Sequence, residues 1–141
     1  MALDSIFGIA GTALNAQLTR MNATASNLAN AGTVSSTEKE AFRAKRPVFQ
    51  ALVDEQMTHA GAAYVGGVKV AKIADDAAPP QRVADPKNPL ADKDGYVYKS
   101  NVSEVTEMVE MMAAARSYQN NVEVINTARQ LMMRTLDITK A

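Results

Sequence analysis

The sequence predicts a mostly α-helical protein in which long N- and C-terminal helices pair as a coiled-coil-like hairpin, with a small β-containing insert between them. Three observations predict it. Apolar and small residues recur at heptad spacing near both ends, and all five prolines fall between those stretches. Aromatic residues make up only 5% of the chain, with no Trp against eight Met. A core of Ala, Leu, Val, Ile and Met suits helix-on-helix packing better than a β-sandwich. The 141 residues have room for one modest domain, divided by composition into segments 1–33, 34–100 and 101–141.

The first segment is nearly free of charge. From Ser5 to Thr37 the only charged side chain is Arg20. Phe7, Gly11, Leu14, Leu18, Met21, Ala25 and Leu28 follow at spacings of 4, 3, 4, 3, 4 and 3, a heptad seam. Gly32, just past Asn30, is the expected helix stop, since glycine takes the left-handed conformation without Cβ strain. A helix with one wet face normally carries Glu, Lys and Arg there. Here the positions off the seam are Ala, Thr, Asn and Ser, which a neighbouring helix can cover at small cost. This helix is expected to be enclosed on several sides in its working state, and both termini to be loosely ordered until assembly fixes them.

The middle segment reads as two strands, 46–53 and 67–73, followed by a polar, Pro-rich extended loop from Asp75 to Gly95. Asp94-Gly95 signals a turn, with Tyr96-Val97-Tyr98 a short strand after it. In the last segment Asn101 or Ser103 can cap a long helix, and Glu104, three after Asn101, resembles a capping box. Glu104, Glu107 and Glu110 near its start and Arg129, Arg134 and Lys140 near its end complement the helix dipole. Heptad lines run through Met111, Tyr118, Ile125 and Met132, and through Met108, Ala115, Val122, Arg129 and Leu136. Val124, Leu131 and Ile138 add a third.

Fifteen basic and fifteen acidic residues cancel, so no electrostatic footprint for nucleic acid is present. The absence of Cys removes disulfides and thiolate metal sites. No apolar run is long enough to span a membrane, and the N-terminus makes a poor cleaved secretory signal. Catalytic, cofactor and metal sites are all read as none. His59, the one histidine, sits in a polar stretch without a clear partner. Asp92-Lys93-Asp94-Gly95 begins like a calcium loop, but Ser103 stands where its closing Glu is needed. Asp75-Asp76 reads as loop polarity. The basic run Phe42–Arg46 reads as a strand flank or a charge contact to a partner subunit. The Met cluster at 108, 111, 112, 132 and 133 reads as packing before groove. Asn27 and Asn30, one turn apart, serve either helix-end chemistry or amide bonds across a subunit interface.

These residues carry a resemblance. Ala13-Leu14, Arg20-Met21 and Ser26-Asn27-Leu28-Ala29-Asn30-Ala31 are similar to the N-terminal signature of bacterial flagellar rod and hook proteins. Phe42-Arg43-Ala44-Lys45, Gly67-Val68-Lys69-Val70, Asn88-Pro89-Leu90-Ala91-Asp92 and Gly95-Tyr96-Val97 narrow it. With Glu107-Met108-Val109 and Ala115-Arg116-Ser117-Tyr118-Gln119, they resemble the proximal rod (FlgC-type) family of the flagellar basal body. Two features depart from the family pattern: Thr139 stands where Gly is usual, and the stretch from Ala51 to Val65 is long. The resemblance implies a non-enzymatic subunit, exported without a cleaved signal by the flagellar type III export apparatus and assembled in the periplasm as part of the drive shaft. Its partners would be other rod subunits and copies of itself, with no nucleic acid and no membrane insertion. The expected interface residues are Leu14, Leu18, Met21, Ala25, Asn27, Leu28 and Asn30 in the first helix. In the second they are Met111, Arg116, Tyr118, Val122, Ile125, Met132 and Leu136. Rival readings are another rod or hook-type axial protein, a coiled-coil export adaptor, or a small hydrolase built on His59 or Asp92.

Overall fold

The computed structural model describes residues 2–52 and 66–139; His59 and most of the Ala51–Val65 stretch lie outside them. The elements in order are α1 (Ala2–Asn30), β1 (Val34–Ser35), β2 (Lys45–Ala51), β3 (Val68–Asp75), β4 (Gln81–Ala84), β5 (Tyr96–Lys99) and α2 (Glu104–Thr139). Two long terminal helices with a small antiparallel sheet region between them in sequence match the mostly α-helical part of the expectation. Two compact units divide the chain. One gathers Met1–Thr19, Val48–Lys72 and Ala113–Ala141, the other Arg20–Pro47 and Ile73–Met112.

In the second unit β1, β5 and β4 form an antiparallel sheet with Val34 opposite Lys99 and Val83 opposite Val97. Ala31, Ala44 and Val102 form its core with Phe42 packed against them. The presence of β4 corrects the expectation of an unpaired loop from Asp75 to Gly95. Its four residues are all exposed, so no apolar alternation announces it. Backbone pairing to β5 and the Arg82 guanidinium, 3.8 Å over the Tyr96 ring, hold it instead. The turn between β4 and β5 is closed by Asp92, whose Oδ1 accepts the N–H groups of Asp94 and Tyr96 at 2.9 Å. Gly95 supplies the positive φ, +81°, that this turn requires.

The helix ends partly follow the sequence reading. Ser103 caps α2, its Oγ accepting from the Thr106 N–H at 3.4 Å and its carbonyl from the Glu107 N–H at 2.9 Å. Asn101 is not the cap. Its Oδ1 accepts from the Ala44 N–H and its Nδ2 donates to the Ala78 carbonyl, tying three chain segments together. α1 stops before Gly32 as expected, but by another route. Gly32 does not take positive φ; the last turn tightens, with Ala31 and Thr33 donating to the carbonyls of Leu28 and Asn30.

In the first unit the pairing of β2 with β3 is closed by the Leu52 N–H donating to the Gly67 carbonyl at 2.9 Å. Thr12 of α1 accepts the Val68 N–H on its Oγ1 at 3.1 Å. Gly67 has φ +128°, and a Cβ there would stand 2.7 Å from that oxygen, so only glycine lets strand and helix meet this closely.

α1 turns a different face inward from the one that heptad counting selects, and α2 does so in part. On α2 the line Met111, Tyr118, Ile125 and Met132 is half-buried. Its companion is Glu107, Ala114, Asn121 and Ala128, all buried or half-buried. The expected companion is mostly exposed at Met108, Val122, Arg129 and Leu136. On α1 the buried positions are Ala10, Ala16, Ala23, Thr24 and Asn27. The predicted seam runs along the edge of that face, with Leu14, Met21 and Leu28 half-buried but Leu18 and Ala25 exposed. A one-residue offset turns a helical stripe by about 100°. Small alanines on the inner lines let elements approach closely, which larger seam residues would prevent.

Candidate assembly faces and the buried Asn27–Glu107–Arg46 cluster

Within the second unit, polar bonds join the C-terminal part of α1 to the start of α2. Arg20 pairs with Glu110 through its Nε, 3.1 Å from Oε2, and its Nη2. Asn27 and Glu107 meet further along, both wholly buried. Asn27 Oδ1 accepts the Lys45 N–H at 2.7 Å, while Nδ2 donates to the Lys45 carbonyl at 3.0 Å and to Glu107 Oε2 at 2.9 Å. One amide therefore fastens the C-terminal half of α1 to the first residue of β2 and to α2.

The other oxygen of Glu107, Oε1, lies 2.6 Å from Arg46 Nη1. The contact is an ion pair, since no N–H is aimed squarely at that oxygen. Arg46 also reaches Asp76, with Nε 3.3 Å from Oδ2. Burial tends to lower the Arg46 pKa, but the negative charges of Glu107 and Asp76 beside it, with the hydrogen bond to Asp76, outweigh that and leave the pKa raised. The Asp76 carboxyl is held below its usual range, first by the Ala78 N–H and, against its partial burial, by Arg46. Nearby, the buried Ser100 hydroxyl donates to the Ala31 carbonyl at 2.7 Å. A buried carboxylate is costly unless paired and hydrogen-bonded. Here it has both partners, and neither Asn27 nor Glu107 is accessible to a substrate. The cluster's work is structural.

The structure also sorts the expected interface residues. Asn27 is withdrawn from any surface, because the chain itself uses its amide completely. Asn30 donates to the Ser26 carbonyl at 2.8 Å, helix-end chemistry of the kind expected as one alternative. Leu18, Ala25, Arg116, Val122 and Leu136 are exposed, whereas Leu14, Met21, Leu28, Met111, Tyr118, Ile125 and Met132 are half-buried. In the first unit Ile6, Val124, Thr127, Ala128 and Leu131 line an open, mainly apolar groove of about 360 Å³. Sequence reasoning missed Arg46 and Glu107 as partners, assigning Glu107 to the helix dipole and Arg46 to a basic flank. The available signal was Glu107's place on the line through Met111, Ala114 and Tyr118, where an acid among packing residues demands a buried counter-charge. Among the described residues no three His, Cys, Asp or Glu side chains are grouped to hold a metal ion, and no helix is long and apolar enough to cross a membrane.

Two charge-poor or amphipathic terminal helices around a small sheet define a class that the comparisons identify. Residues 7–34 match the family described as "Flagella basal body rod protein", and residues 93–138 match "Flagellar basal body rod FlgEFG protein C-terminal". The chain is 50% identical over 138 residues to the flagellar basal-body rod protein FlgC of Escherichia coli O6:H1, covering 98% of both chains. It is equally similar, with the same coverage, to that of Salmonella typhimurium. The FlgC of Bacillus subtilis is 34% identical over 143 residues, covering 94% of this chain and 95% of its own. The chain belongs to the FlgC family of flagellar basal-body rod proteins.

Proposed function

We propose that this protein is a structural subunit of the flagellar basal-body rod, polymerising through its terminal helices with copies of itself and with other rod subunits. The observation that carries this reading is the uncharged outer face of α1. Its single charge in the described helix beyond residue 5, Arg20, is turned onto Glu110 inside the chain, and the exposed positions Asn15, Leu18, Asn22, Ala25, Ser26 and Ala29 carry none. Such a face suits other protein better than water. The terminal helices supply the inner, axial layer, and the sheet region faces outward. Torque passes through many apolar contacts, individually weak but stiff together because close-packed interfaces resist deformation. The chain reaches the periplasm through the flagellar type III export apparatus. The role is non-enzymatic and needs no cofactor.

Hydrogen exchange on the purified chain and on isolated basal bodies tests the reading. Rapid exchange is expected before assembly in the terminal stretches 2–19 and 113–139, with protection after it. Full protection of both stretches in the free chain, together with absence of the protein from basal bodies, overturns it in favour of a free-standing export adaptor.

A further inference from the structure

Residues 77–91 run from just after β3, through β4, to the turn before β5, and they contribute almost nothing to the interior. Pro80 is the one buried residue among them; Asp85, Asn88 and Ala91 are half-buried, and the rest, Val83 and Leu90 included, are exposed. The core of the second unit, Ala31, Ala44 and Val102 with Phe42, takes no residue from this stretch. Neither does the Asn27–Glu107–Arg46 cluster. Along its length the stretch is held by the pairing of β4 with β5, extended by the Asp85 N–H on the Gly95 carbonyl at 3.0 Å. The Arg82 guanidinium over Tyr96 adds a half-exposed contact, which stabilises little.

Polar bonds gather at one end of it. The Asp76 N–H donates to the Ala44 carbonyl at 2.8 Å, and the Asp76 carboxylate accepts from the Ala78 N–H at 3.0 Å and from Arg46 Nε at 3.3 Å. Asn101, which accepts the Ala44 N–H on its Oδ1, donates through Nδ2 to the Ala78 carbonyl at 2.7 Å. Both backbone groups of Ala78 are thereby gripped by side chains that are themselves fixed to Ala44 and Arg46. A segment with few buried apolar contacts opens at a free energy well below that of the whole fold. Release at Ala78 costs the stretch only that clasp, the seat of Pro80 and one edge of a sheet.

We propose that residues 77–91 form a hinged strap that opens as one piece while the rest of the second unit stays folded, with Asp76 and Asn101 as its latch. Opening bares the outer edge of β5, whose N–H and C=O groups are then free to pair with another strand. The device belongs to the free chain and does not depend on the rod-subunit reading. Hydrogen exchange of the purified full-length chain, followed amide by amide in low concentrations of urea, tests it. The Asp85 amide should exchange faster than those of 23–28 in α1 and respond little to urea, the mark of a local opening. Asp76→Ala should speed Asp85 exchange by about tenfold or more, because the bonds it removes are made only in the closed form. Asn101→Asp keeps the acceptor for Ala44 but loses the donor to Ala78; it should act in the same direction, and it serves where Asp76→Ala fails to fold. Asn27→Ala, whose bonds survive the opening, should speed exchange at 23–28 and leave Asp85 unchanged. An Asp85 amide with the urea dependence of 23–28, speeded equally by Asn27→Ala, means that no separate strap exists. One that opens separately but ignores both Asp76→Ala and Asn101→Asp overturns the latch.

Discussion

Asn27 and Glu107, eighty positions apart, share a 2.9 Å hydrogen bond at a site from which solvent is wholly excluded. Through that bond and the Lys45 backbone, three segments distant in sequence are held at one point. A buried amide satisfied on both sides is expensive to remove, because its partners are left without bonds or water.

Asn27→Ala should therefore destabilise the second unit by about 2–4 kcal/mol, since it orphans the Lys45 N–H and carbonyl and one Glu107 oxygen. Denaturant unfolding of the purified full-length chain measures it. Asn27→Asp should be worse than Asn27→Ala at neutral pH, because it sets a second carboxylate against Glu107. An Asn27→Ala midpoint equal to that of the unmodified chain would show the cluster to be dispensable.

Glu107→Ala leaves Asn27 Nδ2 without one acceptor and a cavity at a wholly buried position, whereas half-exposed Arg46 keeps Asp76, so it should cost about 2–4 kcal/mol. Glu107→Gln retains an acceptor for Asn27 and should cost less, by about 1 kcal/mol or more. Combined with Arg46→Ala in a double-mutant cycle, the Glu107→Ala loss should be non-additive by about 1–3 kcal/mol. Simple additivity would mean that the 2.6 Å approach of Arg46 contributes nothing.

Asp76 provides a pH dependence with a definite sign. Its folded pKa lies below the unfolded value of about 4, so its contribution is present above that value and disappears as pH falls through the folded pKa. Asp76→Asn should accordingly be less stable than the unmodified chain at pH 7, with the difference shrinking in unfolding experiments carried below about pH 4. A difference that is constant from pH 7 to pH 3 contradicts the assignment.

Leu18→Asp separates surface from fold. Leu18 is 47% exposed, so the unfolding midpoint should move by no more than about 0.5 kcal/mol. Incorporation into basal bodies and swimming motility should nonetheless be lost, because a carboxylate would be buried unpaired in the contact. His59→Ala should leave both unchanged. Motility lost through His59→Ala with normal assembly would revive a chemical role for that side chain.

Local chemistry made several elements readable without a structure. The β-branched residues Val68, Val70 and Ile73 after Gly67 mark β3, Asp94-Gly95 marks the turn before β5, and Ser103 offers an oxygen one residue ahead of α2. The helices themselves follow from long periodic stretches free of Pro. The charge poverty of α1 is likewise plain from composition, and it is the property on which the assembly reading turns. β4 escaped because its four exposed residues have no pattern and are held by a neighbour rather than by their own propensity.

The residues alone determined that two long helices flank a small sheet, because helix period, capping and turn preferences act over a few neighbouring positions. Only the tertiary structure decided which side of each helix is inward, placing Asn27 and Glu107 inside and Leu18 and Val105 outside. Several heptad lines coexist on one helix, each about 100° of rotation from the next for a one-residue shift. Choosing among them depends on a partner supplied from far along the chain: Lys45 and Glu107 for Asn27, and Arg46 for Glu107. That choice is set by the cost of leaving a buried amide or carboxylate unpaired, a cost visible only when the distant segments are brought together.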